Sequence, residues 1–147
     1  DWATSLDLPD GTMNTEKWDS HRLTTWFDTF LPTLDFSKPE VVEAMADSAA
    51  YWIKKYPLDG FRHDATKHIQ KAFWRKLTRK IKQDTKRPIY QIGETYGSYD
   101  LIRSYINTGM LDAQFDFNLY DASVSAFAKP ETSFNPLAAT LKQGLRF

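Results

Sequence analysis

Gly60-Phe61-Arg62-His63-Asp64-Ala65-Thr66-Lys67-His68 and, one helix further on, Ile92-Gly93-Glu94-Thr95-Tyr96 are the segments that set the architecture of this chain. Each is a short apolar run, bounded by turn residues, that ends on a carboxylate, which is the pattern of a buried strand with a charged group at its exit. Burying an unpaired charge is costly, so both carboxylates need a partner or a task. Strand side chains alternate between faces. Gly60, Arg62 and Asp64 therefore share one face and Phe61 and His63 the other, while Tyr90, Ile92 and Glu94 share a face of the next strand.

The flanking sequence supplies helices. Ser37-Lys38-Pro39-Glu40 has the form of a capping box with Pro in the first turn, and Val42, Met45, Ala49, Trp52, Ile53 and Tyr56 recur at helical spacing until Pro57. A strand is expected over 58–64. A second helix is expected from about Thr66, with Ile69, Phe73, Leu77 and Ile81 on one face and Arg75, Lys76, Arg79, Lys80, Lys82 and Lys86 on the other, solvated face. A strand over 88–94, a short helix capped by Ser98 and reaching Ile106, a strand over 112–118 and a last helix opening at Asn135-Pro136 and running to Gly144 complete the series. Strands separated by helices imply βαβ units and a parallel sheet, open or closed into a barrel, with sites at the C-terminal ends of the strands. Residues 1–36 show no sustained period, only isolated aromatics among Pro, Gly, Asp, Asn and Thr, and read as a loop-rich excursion ahead of the α/β part, 37–147.

Adjacent parallel strands lie about 4.8 Å apart. Carboxylates on matching ends of one face would thus approach the ~5–5.5 Å separation of a retaining glycosidase pair, one acting as nucleophile and the other as acid/base. Arg62, beside Asp64, is expected to hold it ionised, whereas Glu94 has no basic neighbour in sequence and is flanked by Ile92 and Tyr96. His63, Asp64 and His68 could be read as metal ligands, but His63 and Asp64 point to opposite faces, so no metal is assigned to them.

Composition narrows the partners. The 147 residues carry 19 Lys+Arg against 19 Asp+Glu, giving no net field toward nucleic acid or an anionic membrane. No stretch approaches the roughly 20 apolar residues of a membrane span. Aromatics reach 15%. Sugar stacking and interface packing both use such residues, and Trp2, Trp18 and Trp26 suit either.

These motifs resemble signature regions of the α-amylase family of glycoside hydrolases: 60–68 the second region, Gly93-Glu94-Thr95-Tyr96 the third, and Leu31-Pro32-Thr33-Leu34-Asp35 a further signature in the family's protruding loop domain. The long helix with Trp52 and Tyr56 near its end is also similar. The resemblance implies a partial (β/α)8 TIM barrel, about strands 4 to 6 with their helices, preceded by the tail of the loop-rich domain. It implies Asp64 as nucleophile, Glu94 as general acid/base, Arg62 as positioning partner, and Lys67 and His68 as sugar binders on the leaving-group side, with Tyr96 also binding substrate. The implied substrate is α-linked glucan, and an extracellular or periplasmic parent enzyme is expected.

The departures from the family pattern carry equal information. The family's third carboxylate comes from a later His-Asp pair, yet His21, His63 and His68 all precede Glu94. The chain is therefore expected to be a central piece of a larger enzyme, inactive alone, whose open sheet edges favour a homo-oligomer. The family's structural calcium site uses an Asp where Thr33 stands, which argues against calcium there. His63 replaces a usual aliphatic residue and is expected to be a core histidine bonded to a helix. A carbohydrate-binding or transporter-associated protein that keeps the fold without activity is the competing reading. Intact Asp64 and Glu94 argue against it.

Overall fold

A computed structural model describes residues 6–146. Its elements run α1 (Thr15–Ser20), α2 (Pro39–Lys55), β1 (Gly60–His63), a 3-10 turn (Thr66–His68), α3 (Lys71–Asp84), β2 (Tyr90–Gly93), α4 (Tyr99–Arg103), β3 (Ala113–Gln114), α5 (Phe117–Ala128) and α6 (Asn135–Gly144). The three strands are parallel and ordered β1-β2-β3, each beside the next in sequence. An unbroken order of this kind winds in one direction, as in a barrel, with no point at which the order reverses.

Helices cover one face of the sheet. Ala46, Ala50 and Ile53 of α2 and Phe73, Trp74, Leu77 and Ile81 of α3 are buried, because each set recurs at three- and four-residue intervals. Phe36, Tyr105, Met110 and Leu111 complete the core. The basic face of α3 is not simply solvated: Lys76 pairs with Glu43 at 2.5 Å, Lys80 with Asp47, and Lys54 of α2 with Asp84 at 2.7 Å. Exposed pairs of this kind contribute about 0–1 kcal/mol each, so apolar burial does most of the holding and the charges fix the register of α2 against α3. The other sheet face is open, with Tyr90 55% exposed.

A buried polar chain ties strands to helix. Met110 offers only a carbonyl, so the Thr78 hydroxyl donates to it (2.7 Å) and accepts from Gln91 Nε2 (2.8 Å). Gln91 Oε1 is thereby turned toward His63 Nε2, 3.0 Å away, which must carry the proton. His63 is thus a partly buried histidine beside the core, its ring 4.7 Å from that of Trp74. Its hydrogen bond runs to the neighbouring strand, however, and not to a helix. Gln91, one residue past Tyr90 on the covered face, reaches it first.

Several boundaries differ from the sequence expectation. Ser37 does not cap α2: its hydroxyl and amide bond Asp35, and Lys38 precedes the helix without a side-chain cap. The second helix starts later than Thr66, because the 3-10 turn comes first. Ser98 does cap α4, yet that helix stops at Arg103. The strand expected over 112–118 is only Ala113–Gln114, after which the chain turns into the unanticipated helix α5. Asp116 explains the switch. Its carboxylate accepts the Leu119 amide (2.9 Å) as an N-cap, and both its oxygens accept from the Tyr99 hydroxyl at 3.0 Å. Burial and that carboxylate push the Tyr99 hydroxyl up to about 12. Asn135 lies inside α6, whose N-cap is Phe134. Residues 1–5, including Trp2, lie outside the described residues.

Burial holds the imidazoles of His63 and His68 below their usual pKa. The unfolded chain then binds protons at a pH where the folded chain does not, so stability is complete above about pH 6.5 and declines as pH falls below it. The melting temperature is expected to drop between pH 7 and pH 5, by roughly 2–4 °C for each kcal/mol of linkage. Scanning calorimetry of His63→Leu should show a shallower slope over that interval; an unchanged slope would remove His63 from the linkage.

Candidate active site

The site begins where β1 and β2 end. Gly60 pairs with Tyr90, Arg62 with Ile92 and His63 with Gly93, so Asp64 and Glu94 leave their strands side by side. Arg62 and Asp64, two residues apart, emerge on the open face as alternation requires. One nitrogen of the planar Arg62 fork bonds Asp64 Oδ1, and the other lies 2.7 Å from Glu94 Oε1. A single guanidinium therefore joins both carboxylates. Its pKa is raised, chiefly by the hydrogen bond it donates to Asp64 and further by the two negative charges. Glu94 has no basic neighbour in sequence, yet Arg62, distant in sequence, reaches it across the strand pair. Exposure still separates the two acids, with the Asp64 side chain 76% and the Glu94 side chain 27% accessible.

The chain bends sharply after Asp64. Ala65 adopts the left-handed conformation (φ 48°, ψ 42°), which costs a non-glycine residue about 1–2 kcal/mol. The bend brings Thr66 back onto β2, where its amide donates to the Glu94 carbonyl (2.9 Å) and its hydroxyl accepts from the Glu94 amide (3.1 Å).

Lys67 and His68 follow, and both are engaged. Lys67 Nζ lies 2.5 Å from Asp19 of α1. His68 Nδ1 donates to the Arg22 carbonyl at 3.0 Å, leaving Nε2 as the acceptor. Its ring sits 4.8 Å from Phe27 and 6.1 Å from Trp18. These two residues thus fasten the 14–27 segment to the end of β1. Across the carboxylates Tyr96 stacks on Phe117 at 3.8 Å and 11°, yet stays 54% exposed, a rigid aromatic plate facing outward. Together these groups line a cavity of about 440 Å³ containing Asp64, Glu94, Lys67, His68 and Tyr96, walled by Trp18 and Phe27. Hollows of about 660 and 520 Å³ along α4, α5, α6 and β3 hold neither carboxylate, so chemistry rather than size marks the site.

Sequence reasoning did not place Phe27, Thr66 or Phe117 at the site. Trp18 was a candidate platform and forms the cavity wall, whereas Trp26 does not line it. A cation site fares differently. The Thr33 hydroxyl donates to the Thr25 carbonyl (2.8 Å), and Asp35 is occupied by Ser37. Among the described residues no group of three His, Asp or Glu side chains could hold a metal. Thr33 and Asp35 as placed here do not fit calcium.

Comparison with known proteins bears on family and fold. The family model "Alpha amylase, catalytic domain" matches residues 11–146. The chain is 32% identical over 120 residues to a cyclomaltodextrinase of Geobacillus thermopakistaniensis, covering 78% of this chain and 20% of that protein, and 29% identical over 115 residues to an α-amylase of Streptomyces lividans, covering 75% and 12%. The chain thus spans about a fifth or less of these curated relatives. Among solved structures, an α-amylase of Geobacillus thermoleovorans complexed with acarbose superposes with a TM-score of 0.73 at 26% identity, over 88% of this chain and 28% of that one. An α-amylase of Malbranchea cinnamomea gives 0.75 at 24% identity, over 87% and 26%. The three parallel βα units are an arc of a (β/α)8 barrel, and the chain belongs to the α-amylase family.

Proposed function

We propose that this chain contributes the nucleophile and the acid/base of a retaining glycoside hydrolase that acts on α-1,4-linked glucose polymers or oligosaccharides. The observation that carries this reading is the single Arg62 guanidinium joining two strand-end carboxylates inside an aromatic-walled cavity. Asp64, exposed and paired, attacks the anomeric carbon while Glu94 gives its proton to the glycosidic oxygen, and the bond to the leaving sugar breaks. Water then attacks the same carbon, Glu94 takes its proton, and Asp64 leaves as carboxylate. Two inversions give net retention. Arg62 holds Asp64 in line, Lys67 and His68 bind the sugar on the leaving-group side, and Tyr96 also binds substrate.

The chain by itself is inactive on this reading, because among the described residues the cavity contains two carboxylates and not the three that the family resemblance implies. Its outer strands, β1 and β3, are the edges through which two copies would pair.

Titrating the chain with maltotetraose should move the amide resonances of Asp64, Glu94 and Tyr96, with no turnover of a chromogenic maltoside. Shifts confined to other faces would refute the assignment of the site, and turnover abolished by Asp64→Asn would refute inactivity. In a longer chain bearing the rest of the barrel, Glu94→Gln is expected to lower kcat by roughly 10²–10⁴, and proton NMR of the first product should show the α-anomer. Light scattering after size exclusion should give a dimer at high concentration; a strict monomer would dismiss edge pairing.

A further inference from the structure

We propose that Thr66 is the positioning residue that sets where Glu94 stands relative to Asp64 and Arg62, through a side chain seated in the space left by the missing Cβ of Gly93. Thr66 is fully buried and grips both backbone groups of one residue: its amide donates to the Glu94 carbonyl at 2.9 Å, and its Oγ1 accepts from the Glu94 amide at 3.1 Å. The Thr66 hydroxyl proton points away, to the His63 carbonyl at 3.2 Å, so the oxygen lone pairs remain for Glu94. The His63 carbonyl also receives the Glu94 amide, at 2.9 Å, which makes a closed triangle of Thr66, His63 and Glu94 at the end of the ladder.

Two neighbours keep the triangle in place. Trp74 of α3 donates its indole N–H to the Thr66 carbonyl at 3.3 Å, tying the turn to the core. On the other side, a Cβ at Gly93 would lie 2.6 Å from Thr66 Oγ1, closer than real side chains approach. Gln114 Oε1 and Leu111 Cδ1 would lie at 2.7 and 2.8 Å, so glycine is needed there for clearance, and the threonine hydroxyl shares that clearance with both. The Arg62 fork reaches Asp64 and Glu94 together only if the two residues leave their strands in fixed relation. With β1 already ended at His63, Thr66 extends the strand-to-strand bonding past Asp64, as far as Glu94 itself.

The proposal rests on the reading of Glu94 as the acid/base only for its importance, and its test does not use turnover. Its failure is thus separable from failure of that reading. The probes are hydrogen exchange of the Glu94 amide and the Nη proton resonances of Arg62 in the full chain, for Thr66→Val, Thr66→Ala and Thr66→Ser. Loss of the hydroxyl in Val and Ala should accelerate Glu94 exchange roughly fivefold relative to Leu77 and merge the separate Nη signals as the guanidinium loses its fixed grip. Ser should restore both. Val keeps the volume and Ala tolerates the loss of it, so whichever of the two folds carries the comparison with Ser. Unchanged exchange and unchanged Arg62 signals in the hydroxyl-free variants, or changes as large in Ser as in Val, would overturn the assignment.

Discussion

The parallel pairing of His63 with Gly93 is the constraint on which the rest of this molecule depends. A slip of one residue would exchange the two faces of β1 and send Arg62 and Asp64 into the helix-covered side, away from Glu94. The register is held from both directions. On the covered face a hydrogen-bonded line runs from Met110 through Thr78 and Gln91 to His63, and on the far side the Thr66 triangle closes the ladder. Buried hydrogen bonds are directional and an unmade one is expensive, so such a network specifies one register more sharply than apolar packing can.

The same arrangement explains why the acids meet a single cation. In a parallel pair neighbouring strand ends emerge at the same level, and the flat fork of an arginine matches two acceptors lying side by side. The protein places that arginine inside the strand, two residues before Asp64, where its backbone is fixed. The surrounding walls come from outside the strands. One comes from the 14–27 segment, attached through Asp19–Lys67 and Arg22–His68, and the other from Tyr96 supported by the first residue of α5. The cavity walls are thus supplied by loops, and the paired carboxylates by the strand ends.

Much of the fold was legible because its signals are local. Helix α3 announced itself through apolar residues four apart, and β1 and β2 through short apolar runs ending at turns. The α5 helix was not legible. Phe115-Asp116-Phe117-Asn118 alternates like a strand, and the reversal depends on Asp116 finding the Leu119 amide and the Tyr99 hydroxyl, the latter 17 residues away. The cap of α2 failed for a similar reason, since Asp35 competes for Ser37 and wins it. Short polar side chains choose among nearby backbone groups, and sequence spacing alone does not rank those choices.

Asp64, Glu94 and Arg62 were identifiable from sequence as a set, because strand alternation and the βα order place them on one face at one end, and the motifs around them name the α-amylase family. Their wiring was not. That Arg62 serves both acids, that Lys67 and His68 are held by Asp19 and Arg22 more than 40 residues earlier, and that Thr66, Gln114 and Leu111 crowd the space over Gly93 all follow from distances between elements remote in sequence. Periodicity fixes which way a side chain leaves its own strand or helix. Only the packing of one element on another decides what it meets there.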